Sequence, residues 1–229
     1  MHLPEHCRVR LVIEPQINVE VWLPTHGWNG RFNGVGGGGL AGVISYAALA
    51  RATEGGFACA STDTGHVGSE DALWAIGRPD LVADYGHRAI HEMTLKAGSI
   101  VEAFYGRPAH HAYFSGCSTG GRQGLMEAQR YPADYDGVLS GAPAINISIF
   151  HAGQVWAAQH ALSDPAGYIT AEQYDAINRW VLERFGTDGF VEDPRQVVLD
   201  YAALQQAAAL TEKQLATLRF VWRASELMR

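Results

Sequence analysis

The fold of this chain is decided by residues 116–121, which read Gly116-Cys117-Ser118-Thr119-Gly120-Gly121 and place a serine between glycines at G-x-S-x-G spacing. The segment before them, 111–115, has the character of a short buried strand, and 122–130 that of a helix. Strand, tight glycine turn and helix together form the context of a nucleophile elbow. Glycine is needed because the turn is strained and neighbouring backbones lie close. The pattern therefore predicts a catalytic Ser118, against the alternative of an ordinary serine in a glycine-rich turn.

Strand-like and helix-like segments alternate on both sides of this motif. The strands are predicted at 8–24, 31–35, 56–61, 111–115 and 137–140. Within 8–24, one face is expected to carry Ile17, Val19, Val21 and Leu23. The helices are predicted at 47–52, 86–105 and 122–130, the last with Leu125 and Met126 facing inward. In 86–105 the apolar residues recur at helical spacing, and Gly106 is expected to end that helix. Such alternation predicts a parallel sheet with crossover helices, an α/β fold.

From about Ala144 the pattern becomes helical, with predicted helices at 150–162, 170–185 and 211–224. Thr170 and Thr211 each begin a helix with the capping-box pattern, in which a hydroxyl side chain and a Gln three residues later bond each other's backbone. The sequence therefore predicts two domains, 1–144 and 145–229.

Composition excludes several classes of partner. The chain has 229 residues, 47% of them hydrophobic, which is enough to bury a sizeable core. A net charge of −7 without clusters of Lys or Arg argues against a nucleic-acid partner. No run of 18 apolar residues exists, so we expect no membrane span. Residues 1–6 lack the apolar segment of a signal peptide.

The motif region, Gly116–Gly124 with Glu127–Pro132 and Tyr135–Val138, resembles the tannase and feruloyl esterase family of α/β-hydrolases. Further segments match that family in the same order: Glu20–Pro24, Trp28–Phe32, Gly36–Gly42, Ser61–His66, Asp84–His91 and Gly141–Pro143. The resemblance covers nearly the whole chain. It implies a partial α/β-hydrolase core over 1–144, followed by the first part of a mostly helical lid domain over 145–229.

The resemblance also implies hydrolysis of esters of aromatic acids, such as ferulic or gallic acid, by a Ser-Asp-His triad. In the family the Asp and the His follow the lid, so we expect both to lie outside residues 1–229. Two hypotheses follow: a serine carboxylesterase that forms an acyl-enzyme on Ser118, or a catalytically incompetent fragment that binds ligand at most. A carbohydrate-binding module is disfavoured by the elbow. The expected partner is a small aromatic ester.

Two sets of backbone N–H groups are candidates for the oxyanion hole. One is that of Thr119, the residue after the nucleophile, and the other comes from an early strand-to-helix loop. The run Gly36–Gly39 suits the second role, and Gly38 is our choice within it, although the sequence leaves the donor open. The alternative is a flexible loop. His66, in a segment that resembles the family's active face, is either a substrate-binding residue or a structural one.

The three cysteines have no metal-ligand spacing. The resemblance implies that Cys117 forms a disulfide with a cysteine next to the catalytic His, and that Cys7 also has a partner outside this chain. Cys59, in an apolar run, is predicted to be a buried free thiol. The resemblance further implies a secreted or periplasmic location.

Other histidines offer competing hypotheses. His87 and His91 lie one helical turn apart and could bind a metal, but the sequence shows no third ligand, so packing or surface roles are expected. A triad base on the predicted helix 150–162, either His151 or His160 with Asp134 or Asp136 as its orienting residue, would keep the chain order Ser-Asp-His. The resemblance places neither histidine there.

The resemblance suggests a lid calcium, and this chain retains only the tail of the acidic loop, Gly186–Val191. Calcium takes six to eight oxygen ligands. Asp188 is the remaining candidate ligand, and we expect a turn residue there, with no metal and no cofactor. Four lid aromatics could line a pocket for a planar acid, although core positions are expected for them: Trp156, Trp180, Phe185 and Trp222.

Overall fold

The structure is a computed structural model that describes residues 3–68 and 70–227. The chain forms two compact units, Met1–Ile145 and Asn146–Arg229. The first unit contains a six-stranded sheet with the strand order β1-β2-β4-β3-β5-β6. Its strands are β1 (His6–Ile13), β2 (Ile17–Pro24), β3 (Arg31–Val35), β4 (Ala58–Thr62), β5 (His111–Cys117) and β6 (Gly137–Gly141).

The sheet is mixed. β4, β3, β5 and β6 are parallel, as the alternation of elements predicted. The predicted single strand at 8–24 is wrong, because β1 and β2 form an antiparallel hairpin in which Ile13 faces Ile17. The turn falls at Pro15, whose missing N–H cannot serve a strand ladder. The predicted face is nevertheless correct, since Ile17 and Val21 are fully buried.

Helices connect the parallel strands. In the first unit they are α1 (Tyr46–Glu54), α2 (Pro79–Ala83), a π-helical turn (Asp84–Arg88), α3 (Ala89–Tyr105) and α4 (Thr119–Arg130), with a 3-10 turn at Leu73–Ala75. The apolar stripe predicted for α3 packs against the sheet through Ala89, Met93 and Ala97, each fully buried. The helix ends at Gly106 with φ +70°, as predicted.

Helix α4 differs from its prediction. Leu125 is 43% exposed, whereas Gln123 and Glu127 are buried. The reason is backbone proximity: a Cβ on Gly124 would lie 2.8 Å from a methyl carbon of Val138. Glycines on this face let the helix lie close to β5 and β6, and the face it buries is therefore polar and glycine-rich rather than apolar.

The second unit is helical. Its helices are α5 (Ile147–Ser163), α6 (Ala171–Phe185), α7 (Tyr201–Ala207) and α8 (Glu212–Leu227), with 3-10 turns at Pro165–Gly167 and Pro194–Gln196. The short α7, which the sequence did not predict, begins at Asp200, whose carboxylate accepts hydrogen bonds from two backbone N–H groups. The core of this unit includes Leu204, Leu215 and Trp180.

Both predicted capping boxes of this unit are present. Thr170 Oγ1 accepts from the N–H of Gln173 at 3.3 Å, and Gln173 Oε1 accepts from the N–H of Thr170 at 3.0 Å. Thr211 and Gln214 repeat this pattern at the start of α8. The two glutamine amides also bond each other, at 2.9 and 3.1 Å. The caps of α6 and α8 are therefore joined into one network.

The predicted lid aromatics occupy different environments. Trp180 is buried, and Phe185 and Trp222 pack against the same core, so core positions are confirmed for these three. Trp156 is 45% exposed and lies 4.6 Å from Phe220, measured between ring centroids.

Two further predictions concern the turn near residue 188 and the membrane. Asp188 and Gly189 have φ +55° and +85°, which confirms a turn at this point. Among the residues described, no helix has the length and apolar character needed to cross a bilayer.

Candidate active site

Ser118 lies between the end of β5 and the start of α4, so the predicted strand–turn–helix context is confirmed. Its backbone has φ +59° and ψ −119°. A non-glycine residue in such a conformation costs on the order of 1–3 kcal/mol and persists only where the surroundings enforce it. Ser118 is also exposed.

The backbone of Ser118 is held by three hydrogen bonds. Its N–H donates to the carbonyl of Gly141 at 3.0 Å, and its own carbonyl accepts from the N–H groups of Arg122 at 3.0 Å and Ala144 at 3.1 Å. In contrast, no hydrogen bond to the Ser118 hydroxyl is found within residues 3–68 and 70–227. The backbone is therefore fixed while Oγ faces outward.

Glycines bring the elbow and the glycine run into backbone contact. A Cβ on Gly116 would lie 2.5 Å from the carbonyl carbon of Gly120. A Cβ on Gly36 would lie 2.6 Å from the Cα of Gly120, and one on Gly120 would lie 2.9 Å from the carbonyl oxygen of Gly37. Real Cβ atoms do not approach so closely, so these positions require glycine.

The glycine run offers two free amides beside the elbow. The N–H of Gly36 donates to the carbonyl of Ser115 at 2.9 Å, and that of Gly37 donates to Oε1 of Gln123 at 3.0 Å. Gly38 and Gly39 are exposed, and their N–H groups have no acceptor among the residues that the structure describes. Gly38 and Gly39 are therefore the two residues of the run whose N–H groups remain free, and the oxyanion role of Gly38 stays a prediction.

Thr119 connects the elbow to this loop. Its hydroxyl donates to the carbonyl of Gly39. Its backbone N–H lies in the first turn of α4, where helix amides have no intrahelical acceptor. The hydrogen bond from Thr119 to Gly39 therefore holds the start of α4 against the glycine run, next to Ser118.

An open cavity of about 850 Å³ adjoins the glycine run. Its polar part includes Gly38, Tyr46 and Arg51, and its apolar part includes Phe57 and Leu139. Cys117 also lines it. No local sequence pattern indicates this cavity, because its walls come from separate elements.

His66 is almost completely buried. Its ring stacks on Trp74 with centroids 3.9 Å apart, and its Nδ1 lies 3.4 Å from the hydroxyl of Thr64. That hydroxyl donates to the carbonyl of Ala41, which follows the glycine run. Burial lowers the pKa of His66, so its ring is neutral at pH 7. These contacts brace the loop, and direct substrate binding by His66 stays a prediction.

The two histidines of α3 have separate partners. Nδ1 of His87 lies 2.7 Å from the hydroxyl of Tyr131, and Nδ1 of His91 lies 2.7 Å from Oδ2 of Asp134. His91, Asp134 and Glu127 each offer one ligand atom, and these atoms lie within 4.8 Å of one another. Of the sites described, this cluster is the one that could hold a metal ion.

Glu127 was not singled out from the sequence, because it lies in an ordinary helical context. Burial, and then the neighbouring carboxyl of Asp134, raise the pKa of Glu127 to about 8.

Arg122 is a second buried charge that sequence reasoning missed. Its guanidinium donates to the carbonyls of Tyr85 at 3.1 Å and Gly86 at 3.0 Å, and it lies over the Tyr85 ring. Both carbonyls belong to the π-helical turn before α3. Burial lowers the pKa of Arg122. The residue therefore ties the start of α4 to that turn.

The hypothesis of a triad with Asp134 or Asp136 is wrong. Asp136 Oδ2 accepts from the N–H of Ala112, at the start of β5. Ser118 follows the other end of that strand, about 20 Å away at 3.3 Å per residue. Asp134 is bound to His91. Neither carboxylate can therefore orient a base on Ser118.

The cysteines are all free in the structure. Cys59 is buried, which confirms the predicted buried free thiol, and burial raises its pKa to about 11. Cys117 is exposed and Cys7 is half-buried. Their disulfides with partners outside the chain stay predictions.

Comparison with known proteins gives a consistent result. The family model for tannase and feruloyl esterase matches residues 4–226. A probable feruloyl esterase B-1 of Aspergillus fumigatus is 32% identical over 240 residues, which cover 96% of this chain and 44% of that protein. An uncharacterized esterase of Xanthomonas campestris pv. campestris is 36% identical, with 94% of this chain and 40% of the relative covered.

A solved structure agrees with these matches. The crystal structure of feruloyl esterase B from Aspergillus oryzae superposes with a TM-score of 0.81 at 31% identity, covering 94% of this chain and 47% of that one. The chain therefore spans less than half of the length of the relatives it matches.

Proposed function

Because the chain belongs to the tannase and feruloyl esterase family of α/β-hydrolases, we propose that it carries the nucleophile and the oxyanion hole of a serine carboxylic ester hydrolase. The observation that carries the proposal is the backbone of Ser118, an exposed residue held at φ +59° and ψ −119°. Strain at an exposed serine is the geometry of a nucleophile elbow. The free N–H groups beside it, on Thr119 and on Gly38 or Gly39, are available to bind the carbonyl oxygen of an ester.

The reaction follows from these groups. Oγ of Ser118 attacks the ester carbonyl, and the N–H groups of Thr119 and Gly38 stabilise the negative charge on the carbonyl oxygen. The tetrahedral intermediate collapses, and the alcohol leaves with the proton that Oγ gave up on attack. Water then hydrolyses the acyl-serine, which releases the acid and restores the Ser118 hydroxyl. A serine hydroxyl needs a general base within hydrogen-bond reach. The expectation that this base and its orienting carboxylate lie outside residues 1–229 stays a prediction.

The substrate class is proposed from the relatives and the cavity. Several relatives are named feruloyl esterases, whose name denotes an aromatic acyl group. In this chain the cavity beside the glycine run has Phe57 and Leu139 among its walls, and apolar walls favour a planar aromatic acid. We therefore propose a small aromatic ester as the ligand.

A second candidate is ligand binding without turnover. It is favoured by one observation: no described side chain hydrogen-bonds the Ser118 hydroxyl. Loss of a triad histidine can lower turnover by about a millionfold. A chain with an elbow and no base would still bind an ester or its acid in the cavity.

Turnover by the purified chain separates the two candidates. We would assay methyl ferulate, methyl gallate and p-nitrophenyl acetate with wild type, Ser118→Ala and Ser99→Ala, the last an exposed serine on α3 that serves as a matched control. Hydrolysis that is lost only in Ser118→Ala supports the esterase and excludes the second candidate. Saturable ferulate binding without hydrolysis supports the second candidate. Hydrolysis that survives Ser118→Ala contradicts the nucleophile assignment.

Secretion and disulfide formation at Cys117 are proposed on the same family relationship. Mass spectrometry of the protein from its source, before and after reduction, tests the disulfide. A free Cys117 thiol in the extracellular protein would contradict it.

A further inference from the structure

A cluster behind the nucleophile helix has no role in the proposed reaction. It is formed by Glu127 of α4, His91 of α3 and Asp134 of the segment before β6. Glu127 is 1% exposed, and no donor reaches either of its carboxylate oxygens. A carboxylate oxygen of Asp134 lies within 4.8 Å of one of them. A fully buried carboxylate without a donor is rare in native proteins and requires an explanation.

Charge balance limits the explanations. Two carboxylates that face each other in a buried site repel strongly, so the pair requires a positive charge between its oxygens. His91 already contacts Oδ2 of Asp134 at 2.7 Å, whereas both carboxylate oxygens of Glu127 are left without a donor. The remaining choices are a proton on one carboxyl or a metal cation held by all three residues.

The donors are arranged for a cation. Each of the three residues offers one ligand atom, and these atoms lie within 4.8 Å of one another. Ligands of zinc at 2.0–2.2 Å are about 3.3 Å apart in a tetrahedral site, so small side-chain rotations would close the site. We propose that His91, Glu127 and Asp134 bind a divalent first-row metal ion, with zinc as the reference. One imidazole and two carboxylates match its ligand preferences and leave a position for water.

The residues around the cluster leave it accessible from solvent and hold the His91 ring in place. The side chain of His91 is 24% exposed and that of Asp134 is 8% exposed, so the cluster reaches the surface on the histidine side. The His91 ring stacks on Tyr131 with centroids 3.9 Å apart, and the Tyr131 hydroxyl bonds His87. Such contacts around a ligand fix its ring orientation.

The ion would be structural. Glu127 lies about 12 Å along α4 from Thr119, at 1.5 Å per residue. The ion would join α3, α4 and the segment before β6, and it would brace the helix that presents Ser118 without touching substrate. This inference does not depend on the esterase proposal.

The test is a metal titration of the purified, chelator-treated chain. We expect one equivalent of Zn²⁺ to bind with a Kd of about 1 μM or tighter by calorimetry, and Co²⁺ to give a visible spectrum at the same stoichiometry. The melting temperature should rise by about 5 °C at a hundredfold excess over Kd. Glu127→Gln, which keeps the shape, should weaken binding by at least about tenfold.

Two controls keep the result interpretable. His110→Asn removes an exposed histidine elsewhere and should leave the affinity unchanged. That result would show that zinc binding does not depend on this one of the ten histidines. Asp134→Asn is the second ligand variant if Glu127→Gln does not fold. The absence of binding at one equivalent, or equal affinity in wild type and Glu127→Gln, would overturn the proposal. A shared proton would then hold the cluster, and Glu127→Gln would be as stable as wild type with or without zinc.

Discussion

The two units of this chain differ in what fixes their geometry. In the first, the decisive turn depends on backbone contacts between glycines and on a serine at φ +59°. In the second, α6 and α8 begin with side-chain caps that follow ordinary local rules, and the two caps bond each other through Gln173 and Gln214. The first unit therefore contains a backbone conformation and close contacts that most residue types disfavour. The caps of the second unit, in contrast, use residues that are preferred at helix starts.

This difference distinguishes the surroundings of α4 from the rest of the chain that the structure describes. A strained serine, a carboxylate without a donor and a buried guanidinium each cost stability, and natural proteins retain such features mainly at functional sites. In the first unit all three lie on or next to α4: Ser118 precedes it, and Arg122 and Glu127 are on it. Substitutions that change one kind of contact at a time show how far each unit depends on it.

The largest effect is expected from removing an oxyanion amide. Gly38 does not have a positive φ, and a Cβ there meets no atom within 4 Å, so a side chain at this position meets no close contact. Gly38→Pro removes the N–H and should lower kcat by about 100- to 1000-fold. Gly38→Ala keeps the N–H and should remain close to wild type. Steady-state kinetics with p-nitrophenyl acetate measures both, and an unchanged kcat in Gly38→Pro would assign the donor to Gly39 instead.

The next largest effect, on the free energy of unfolding, is expected where the backbones of Gly116 and Gly120 lie close together. Gly116→Ala would place a Cβ 2.5 Å from the backbone of Gly120, and we expect a loss of about 3 kcal/mol in the free energy of unfolding. Gly98→Ala is the matched control, because a Cβ on that helical glycine meets nothing within 4 Å. It should stabilise α3 by about 0.5–1 kcal/mol. Urea denaturation measures both, and equal effects would refute the close-contact explanation.

A smaller effect is expected in the second unit. Thr170→Ala removes the hydroxyl that accepts from Gln173, at a cost of about 1 kcal/mol. Thr170→Ser keeps an acceptor and should recover most of that loss. Thermal unfolding of both variants provides the measurement. If serine is no better than alanine, the cap is not what fixes α6.

The smallest effect is a pH dependence at Glu20. Burial alone would raise the pKa of this carboxyl, but hydrogen bonds from Arg8, Trp22 and Tyr46 lower it below its ordinary value of 4.5. A lowered pKa adds stability that is present above the ordinary pKa and is lost as pH falls through the folded-state value. Because the Arg8 side chain is 45% exposed, we expect about 1 kcal/mol or less.

Denaturation curves between neutral and acidic pH check this prediction. Glu20→Gln should reduce the loss of stability on acidification, while Glu102→Gln, an exposed change on α3, should not alter it. A Glu20→Gln protein with the same acid sensitivity as wild type would show that Glu20 does not contribute.

The sequence predicted the parts of the molecule that depend on neighbouring residues. The caps at Thr170 and Thr211, the stop at Gly106 and the context of Ser118 all have local signals, and all are present. Periodicity could not separate β1 from β2, because both strands alternate with the same phase across the turn at Pro15.

The rest depends on contacts between distant segments. The exposure of Leu125 follows from glycine packing between α4 and the sheet, which hydrophobicity does not encode. The partners of Glu127 and Arg122 come from elements more than thirty residues away or from the loop beyond their own helix. Likewise, the sequence could not show which of the four glycines has a free N–H. Only the structure shows that two of these N–H groups donate to Gln123 and Ser115.

The most direct test of the central claim is to trap the acyl intermediate. The protein would be quenched in acid during turnover of p-nitrophenyl acetate or a ferulate ester, and digested peptides would be mapped by mass spectrometry. We expect one acyl group on the peptide that contains Ser118, and none there in Ser118→Ala. An acyl group on another residue during turnover, with Ser118 unmodified, would contradict it.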